Sequence, residues 1–301
     1  MPTSHSSRTL HRRSAGWLFA FFLGLLAAPR AQAQVREPDN FLATTLTFSS
    51  AHRLRNVSTR HVSPTLSAGF RVSESGQLRL DWGMPYTSFE PRRDSVGRQS
   101  HSGSSNLLIG LHHVSSFADD ALFTRIGVAV AVPLARRNDA GPDAPRAAQA
   151  EGLNYDTAAA VRGLADPWLW ALDTTSFVVP LTLGLDLPGL QLRADVAFGM
   201  LVPTSSATQD THFVAQGSLE AALGLGLLEP GVKLQVVSPH LSKATWDGEN
   251  ARASVEPFLR VHLGPLFARA GVRIDLGDPE APPSPSPSRM WALGVGLGLG
   301  F

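Results

Sequence analysis

The chain has 301 residues, with 26 lysines and arginines against 25 aspartates and glutamates and a formal net charge of +1, which excludes a basic nucleic-acid-binding protein. It has no cysteine, so neither disulfides nor acylation at a lipoprotein cysteine can act here. With 27 glycines, 22 prolines and 17% charged residues it is turn-rich and poor in charge, as closely spaced strands require.

The N-terminus carries Arg8, Arg12 and Arg13, then an apolar run over 17–28, then Ala31-Gln32-Ala33. Basic start, short apolar core and a small-residue site together predict a secretory signal peptide over 1–33, with Ala31 and Ala33 marking cleavage. The run is about a dozen residues, short of the roughly 20 a membrane helix needs. Residues 34–301 are then the mature protein.

No later stretch has 18 uninterrupted apolar residues, and period two takes over. Strands are predicted near 40–50, 63–73, 77–89, 103–115, 121–134, 174–187, 190–202, 212–228, 231–241, 251–263, 265–276 and 290–301. In 77–86, Leu78, Leu80, Trp82, Met84 and Tyr86 share one face against Gln77, Arg79, Asp81 and Gly83. In 190–202, Leu192, Val196 and Phe198 oppose Gln191, Arg193 and Asp195. The last strand puts Trp291, Leu293, Val295, Leu297, Leu299 and Phe301 on one face and little but glycine on the other.

The links alternate in length. Short ones fall at 74–76, 116–120, Pro188-Gly189, Glu229-Pro230 and Gly264; long polar ones fall at 51–62, 90–102, 135–173, 203–211, 242–250 and 277–289. An up-and-down membrane barrel with both termini in the periplasm predicts this rhythm, whereas a Greek-key sandwich gives no reason for it. Strands of about ten residues match a tilted crossing. The expected fold is therefore all-β, a transmembrane antiparallel barrel of about twelve strands, with ten or fourteen as alternatives.

In hydrocarbon an extended chain satisfies its backbone only in a closed sheet, with apolar side chains turned to lipid. That assigns to the lumen Arg71, Arg79, Asp81, Arg125, Arg193, Asp195, Glu220, Lys233, Glu256, Arg260, His262, Arg269, Arg273 and Asp275, all of parity opposite to their strand's apolar set. One arginine on the lipid face at mid-depth would cost roughly 2–4 kcal/mol. An interfacial aromatic belt would rest on Trp82, Trp168, Trp170, Trp246, Trp291 and phenylalanines, since tyrosine occurs twice. Pro180 and Pro257 interrupt strand patterns and are each expected at a bulge. Residues 135–173 are too long for an ordinary loop; they read partly as helix over 146–164, an external loop or lid, or a segment folded inward as a plug.

The terminal run ending on Phe301 resembles the β-signal by which bacterial outer-membrane barrels are recognised. That resemblance implies an outer-membrane address in a Gram-negative bacterium and, as partners, the barrel-assembly machinery, membrane lipid and lipopolysaccharide. Gly163 to Leu169, with Asp166-Pro167-Trp168 and an alternating strand after it, is similar to a pattern in the transporter-like family named after the meta-pathway of phenol degradation, whose members are thought to be uptake pores. The resemblance implies porin-like or facilitated passage of a small solute, a hydrophobic one included. A structural or surface-interaction barrel with a closed lumen is the alternative.

A lipid hydrolase is the remote alternative. Outer-membrane phospholipases place a histidine and a serine two residues apart on a lipid-facing strand, and His113-Val114-Ser115 and His240-Leu241-Ser242, near Asn250, have that spacing. The first lies at the wrong end of the barrel, and the second lacks the Asn-Gly that follows the serine in that family. No cofactor or metal is expected, because His112 and His113 point to opposite faces of a strand. Asn56-Val57-Ser58 fits a glycosylation acceptor but means little in a bacterial protein, and Arg92, Arg93 and Arg98 could bind lipopolysaccharide phosphates or simply be solvated.

Overall fold

The structure is a computed structural model, described over residues 40–54, 57–91, 99–137, 144–162, 165–204, 210–238, 251–276 and 291–301. Its strands are β1 (Phe41–Leu54), β2 (Val57–Arg71), β3 (Gly76–Gly83), β4 (Tyr86–Pro91), β5 (Gln99–Ser102), β6 (Leu107–Phe117) and β7 (Leu122–Val132). After helices α1 (Ala144–Val161) and α2 (Pro167–Trp170) come β8 (Thr174–Leu187), β9 (Leu190–Pro203), β10 (His212–Leu223), β11 (Leu228–Ser238), β12 (Arg252–Leu263), β13 (Leu266–Asp275) and β14 (Trp291–Gly300).

All pairings are antiparallel, β2 meeting both β3 and β4 and β6 meeting β3, and β1 closes the sheet by pairing with both β2 and β14, from Phe41↔Gly300 to Ser49↔Ala292. Two crossings are each made of two strands: β3 and β4 are separated at Met84-Pro85, and β5 and β6 at 103–106. The fourteen segments therefore make a closed barrel of twelve crossings, as the sequence predicts. Leu66, Val128, Phe198, Leu219, Leu234 and Leu297 stand exposed on the outside, while their odd-even partners turn inward. An apolar band this continuous is untenable in water and suits a lipid exterior.

The end that holds Phe41 and Phe301 also carries the turns at 72–75, 118–121, 188–189, 224–227 and 264–265; it is the turn end, and the opposite one the loop end. At Pro188-Gly189 the glycine has φ 80°, the left-handed conformation a tight hairpin needs. The turn expected at Glu229-Pro230 lies instead at 224–227, where Gly226 has φ 74°. Glu229 and Pro230 belong to β11, opposite Arg260 and Leu259. Leu223, Leu225 and Leu227 continue the strand's alternation through the turn, which hid its position.

Two further expectations are corrected. Pro180 and Pro257 cause no bulge: β7–β8 keeps one register from Leu122↔Leu185 to Ala131↔Ser176, and β12–β13 one from Ser254↔Asp275 to Leu263↔Leu266. An antiparallel residue aims its N–H at one neighbour only, so each proline opens a short gap in one ladder and leaves the other intact. The long loop expected at 51–62 is largely ladder, and the one expected at 90–102 is ladder at both of its described ends. β1 and β2 pair out to Leu54↔Val57 with an irregularity after Ala51, and β4 pairs with β5 from Tyr86↔Ser102 to Phe89↔Gln99.

Candidate functional site

Residues 135–173, read from sequence as an external loop or lid, have their described helices inside the barrel. α1 is built from alanines over its length and has Pro145 in its first turn, a position where the missing N–H costs nothing. Among its described side chains Glu151, Asn154, Tyr155, Thr157, Ala158 and Val161 are buried, a mostly polar face. Asn154 accepts from the Thr87 hydroxyl and donates to the Pro85 carbonyl at 3.3 Å; Thr87 also bonds the His61 Nδ1 at 2.7 Å. The Tyr155 hydroxyl donates to the Ser104 carbonyl at 2.7 Å, and Glu151 lies 3.6 Å from His101. Burial, reinforced by the Glu151 charge, pushes the Tyr155 phenol up to about 12.

α2 packs differently. Trp168, Leu169 and Trp170 are buried against Ala129, Ala131, Val178 and Ala197 on the inner wall of β7, β8 and β9. A Cβ at Gly199 would stand 3.1 Å from the Trp168 ring and one at Gly83 2.8 Å from Trp170, so both glycines are seats for indoles. The Asn106 side chain, fully buried, fixes this helix. Its amide donates to the carbonyls of Trp168 at 2.9 Å and Ala171 at 2.8 Å, and its oxygen accepts the Ala135 N–H at 3.0 Å. Asp166, in the left-handed region at φ 52°, starts α2 and reaches the fifth residue of β10, where its N–H meets Gln216 Oε1 at 2.8 Å. Burial acts to raise the Asp166 carboxyl, but Arg162 at 3.1 Å and the Gln216 amide outweigh it and hold the group below the usual carboxylate range.

Beyond these helices the inner wall from β9 to β13 is a ladder of ion pairs. Arg193 meets Asp195 at 2.9 Å, and Asp195 also accepts from Thr182 and Ser218. Glu220 is shared by Arg260 and by Arg269 at 2.9 Å. Glu229, which has no exposed surface, takes Arg260 at 3.1 Å and His262 at 3.2 Å. Glu256 binds Arg269 at 3.0 Å and Arg273 at 2.8 Å. Across the lumen Arg79 pairs with Asp81 at 2.9 Å, and Arg125 donates to Thr182 at 3.3 Å. Inward phenylalanines lie over inward glycines of other strands, Phe123 on Gly184, Phe258 on Gly231 and Phe267 on Gly298, and Arg269 stacks 3.9 Å above Phe258.

A cavity of about 880 Å³ runs between these walls, from Phe41, Pro265 and Phe301 at the turn end to Arg162, Asp166 and Trp168 below the helices. Eleven of the fourteen residues assigned to the lumen line it: Arg79, Asp81, Arg125, Arg193, Asp195, Glu220, Lys233, Arg260, His262, Arg269 and Arg273. Glu256 stands behind them as the partner of two of those arginines. Arg71 is apart: it is exposed at the turn end and donates to the carbonyls of Ser73 and Glu74. Asp275 sits opposite Ser254 at the loop end of β13.

No family model matches the sequence, and no curated protein is detectably similar to it. Among solved structures, an outer membrane channel from Pseudomonas putida F1 superposes with a TM-score of 0.58 at 10% identity, covering 91% of this chain and 100% of that one. The chain has the fold of a Gram-negative outer-membrane β-barrel. Weaker likenesses are to the translocator domain of the autotransporter NalP from Neisseria meningitidis, TM-score 0.46 at 13% identity over 97% of this chain and 96% of that one, and to the NanC porin, TM-score 0.48 at 7% identity over 86% and 100%.

In this barrel the terminal strand presents Trp291, Leu293, Val295, Leu297, Leu299 and Phe301 on the exposed face. Of the tryptophans expected in the interfacial belt, Trp168 and Trp170 are inside the lumen, because α2 and not β8 carries them. Ser115 and His113 do meet, Oγ to Nε2 at 3.0 Å, exposed at the turn end; among the described residues no carboxylate bonds that imidazole. Ala31, Ala33, Arg92, Arg93, Arg98, Trp246, His240, Ser242 and Asn250 lie outside the described residues, as does the backbone of Asn56.

Sequence reasoning missed Asn106, Asn154 and Gln216, which hold the inner helices. A single amide between two strand patterns carries no periodic signal. The length of 135–173, its helical stretch and the run Gly163-Leu164-Ala165-Asp166-Pro167-Trp168 were the cues that this segment is more than a connector.

Proposed function

We propose that the protein is an outer-membrane channel for small solutes, in which the helices of 144–173 narrow the loop end of the lumen. The observation that carries this reading is the cavity of about 880 Å³, continuous from Phe301 to Asp166 and walled by charged side chains of both signs. A purely structural barrel has no use for so large a space lined by charge, and a charged wall fits a water-soluble solute better than a hydrophobic one. The inner helices are fastened by a few side chains, Asn106, Asn154 and Gln216, so their release would widen the path without breaking the barrel. A closed structural barrel is the second reading, favoured by how deeply Trp168 and Trp170 are seated.

Purified protein in planar bilayers tests the two. The channel reading expects discrete conductance steps that grow in Asn106→Ala, where α2 loses its anchor. Silence from both the native protein and Asn106→Ala would leave the structural barrel standing.

A further inference from the structure

We infer that the lumen is selective for small anions bearing acceptor oxygens, with Lys233 as the selectivity-determining group. The inference rests on the channel reading and adds to it the sign of the solute.

Lys233 projects inward from β11 between Glu220 on β10 and Glu256 on β12, its direct cross-strand neighbours. Two carboxylates so placed would ordinarily hold a lysine. Here both are taken by arginines, Glu220 by Arg260 and Arg269, and Glu256 by Arg269 and Arg273. A guanidinium offers a planar fork that fits a carboxylate better than a point charge does, so the arginines win that competition. Among the described residues no hydrogen bond or contact ion pair reaches the Lys233 ammonium, and it lines the cavity. An ammonium has three donors and no acceptor.

The charge count points the same way. The described cavity wall carries eight arginine and lysine side chains and four carboxylates, with Glu229 and Glu256 behind it as further arginine partners. Every carboxylate on that wall bonds at least one guanidinium, which leaves a surplus of two positive charges facing the water. Under the helices the indole N–H of Trp168, itself buried, also lacks an acceptor. A wall with spare donors and engaged acceptors attracts acceptor-bearing anions and repels cations, and low-dielectric surroundings sharpen that preference.

The test is the reversal potential of native protein and Asn106→Ala in bilayers under a potassium chloride gradient. The expected chloride-to-potassium permeability ratio is above one. It falls by about fivefold in Lys233→Gln, the effect of one unit charge at roughly 4 Å in water, and falls further in Lys233→Glu. Arg71→Gln, altered at the exposed turn, keeps the native ratio, and a retained heat-induced shift in gel mobility verifies that each barrel is folded. Potassium acetate and potassium phosphate gradients then separate a carboxylate preference from a phosphate preference. Conductance with a ratio at or below one, or a Lys233→Gln ratio equal to native, overturns the anion inference and leaves the channel. Absence of conductance in every folded protein overturns both.

Discussion

The two halves of the lumen wall hold their contents by opposite means. On the loop-end part of β7, β8 and β9 the inward positions are Ala129, Ala131, Val178, Ala197 and Gly199, small and apolar, and two indoles fill the space they leave. From β9 round to β13 arginines and carboxylates among the inward positions bridge strand to strand and leave a cavity between the walls. The first wall is shaped to receive a piece of the same chain, and the second is braced from within so that it need not collapse. One barrel thus shows that parity dictates which side chains face inward, while side-chain size and charge dictate whether that interior is a seat or a passage.

The largest expected effect comes from emptying the seat. Trp168→Ala removes the ring packed on Ala197 and Gly199 and costs the docked helices roughly 3–5 kcal/mol, the range for a buried tryptophan. Protease sensitivity within 144–173 and single-channel conductance should both rise, while thermal unfolding of the barrel changes little. Unchanged conductance would mean that the helices do not limit passage.

Next in size is a break in the brace. Glu220→Gln removes the carboxylate that joins Arg260 to Arg269, each a charged hydrogen bond worth roughly 1.5–3 kcal/mol. Here the outcome reverses: the unfolding temperature of the barrel falls and protease sensitivity of 144–173 stays at the native level. If the helices loosen as much as the barrel does, the two walls are not independent.

Asn106→Ala leaves the Ala135 N–H and the Ala171 carbonyl without their side-chain partner, at roughly 1–3 kcal/mol for an orphaned buried group. Its protease sensitivity should lie between native and Trp168→Ala. A value equal to native would show that the indoles alone hold α2.

The smallest effect is on pH dependence. Asp166 has a lowered carboxyl pKa when docked, so its contribution to docking is present above the ordinary carboxylate value of about 3.9 and is lost as pH falls through the lowered value. Tryptophan fluorescence followed from pH 6 downward should report loosening of Trp168 and Trp170 at the acid end. Asp166→Asn should flatten that part of the profile, and an unaltered profile would assign it to another group.

The charged wall was readable because it obeys a rule of two. Arg193, Asp195, Arg269 and Arg273 each fall out of step with neighbouring leucines and valines, and a strand has no other way to place them than inward. The seat was not readable. Alanine, valine and glycine at inward positions look like gaps in a pattern, and α1 buries a polar face, Glu151, Asn154 and Thr157, that in a soluble protein would mark its solvent side. Inside a barrel with a polar wall that relation inverts, so the helix was visible and its direction was not.

The sequence by itself determined the closed antiparallel barrel of about twelve crossings and the inward parity of most of its strand charges, because pleat and hydrocarbon leave an extended chain one way to satisfy its backbone and hide its arginines. Only the tertiary structure decided that 144–173 turns inward, that Trp168 and Trp170 leave the lipid interface for the lumen, and which arginine takes which carboxylate. Those outcomes depend on distances between strands far apart in sequence, and no local period records them.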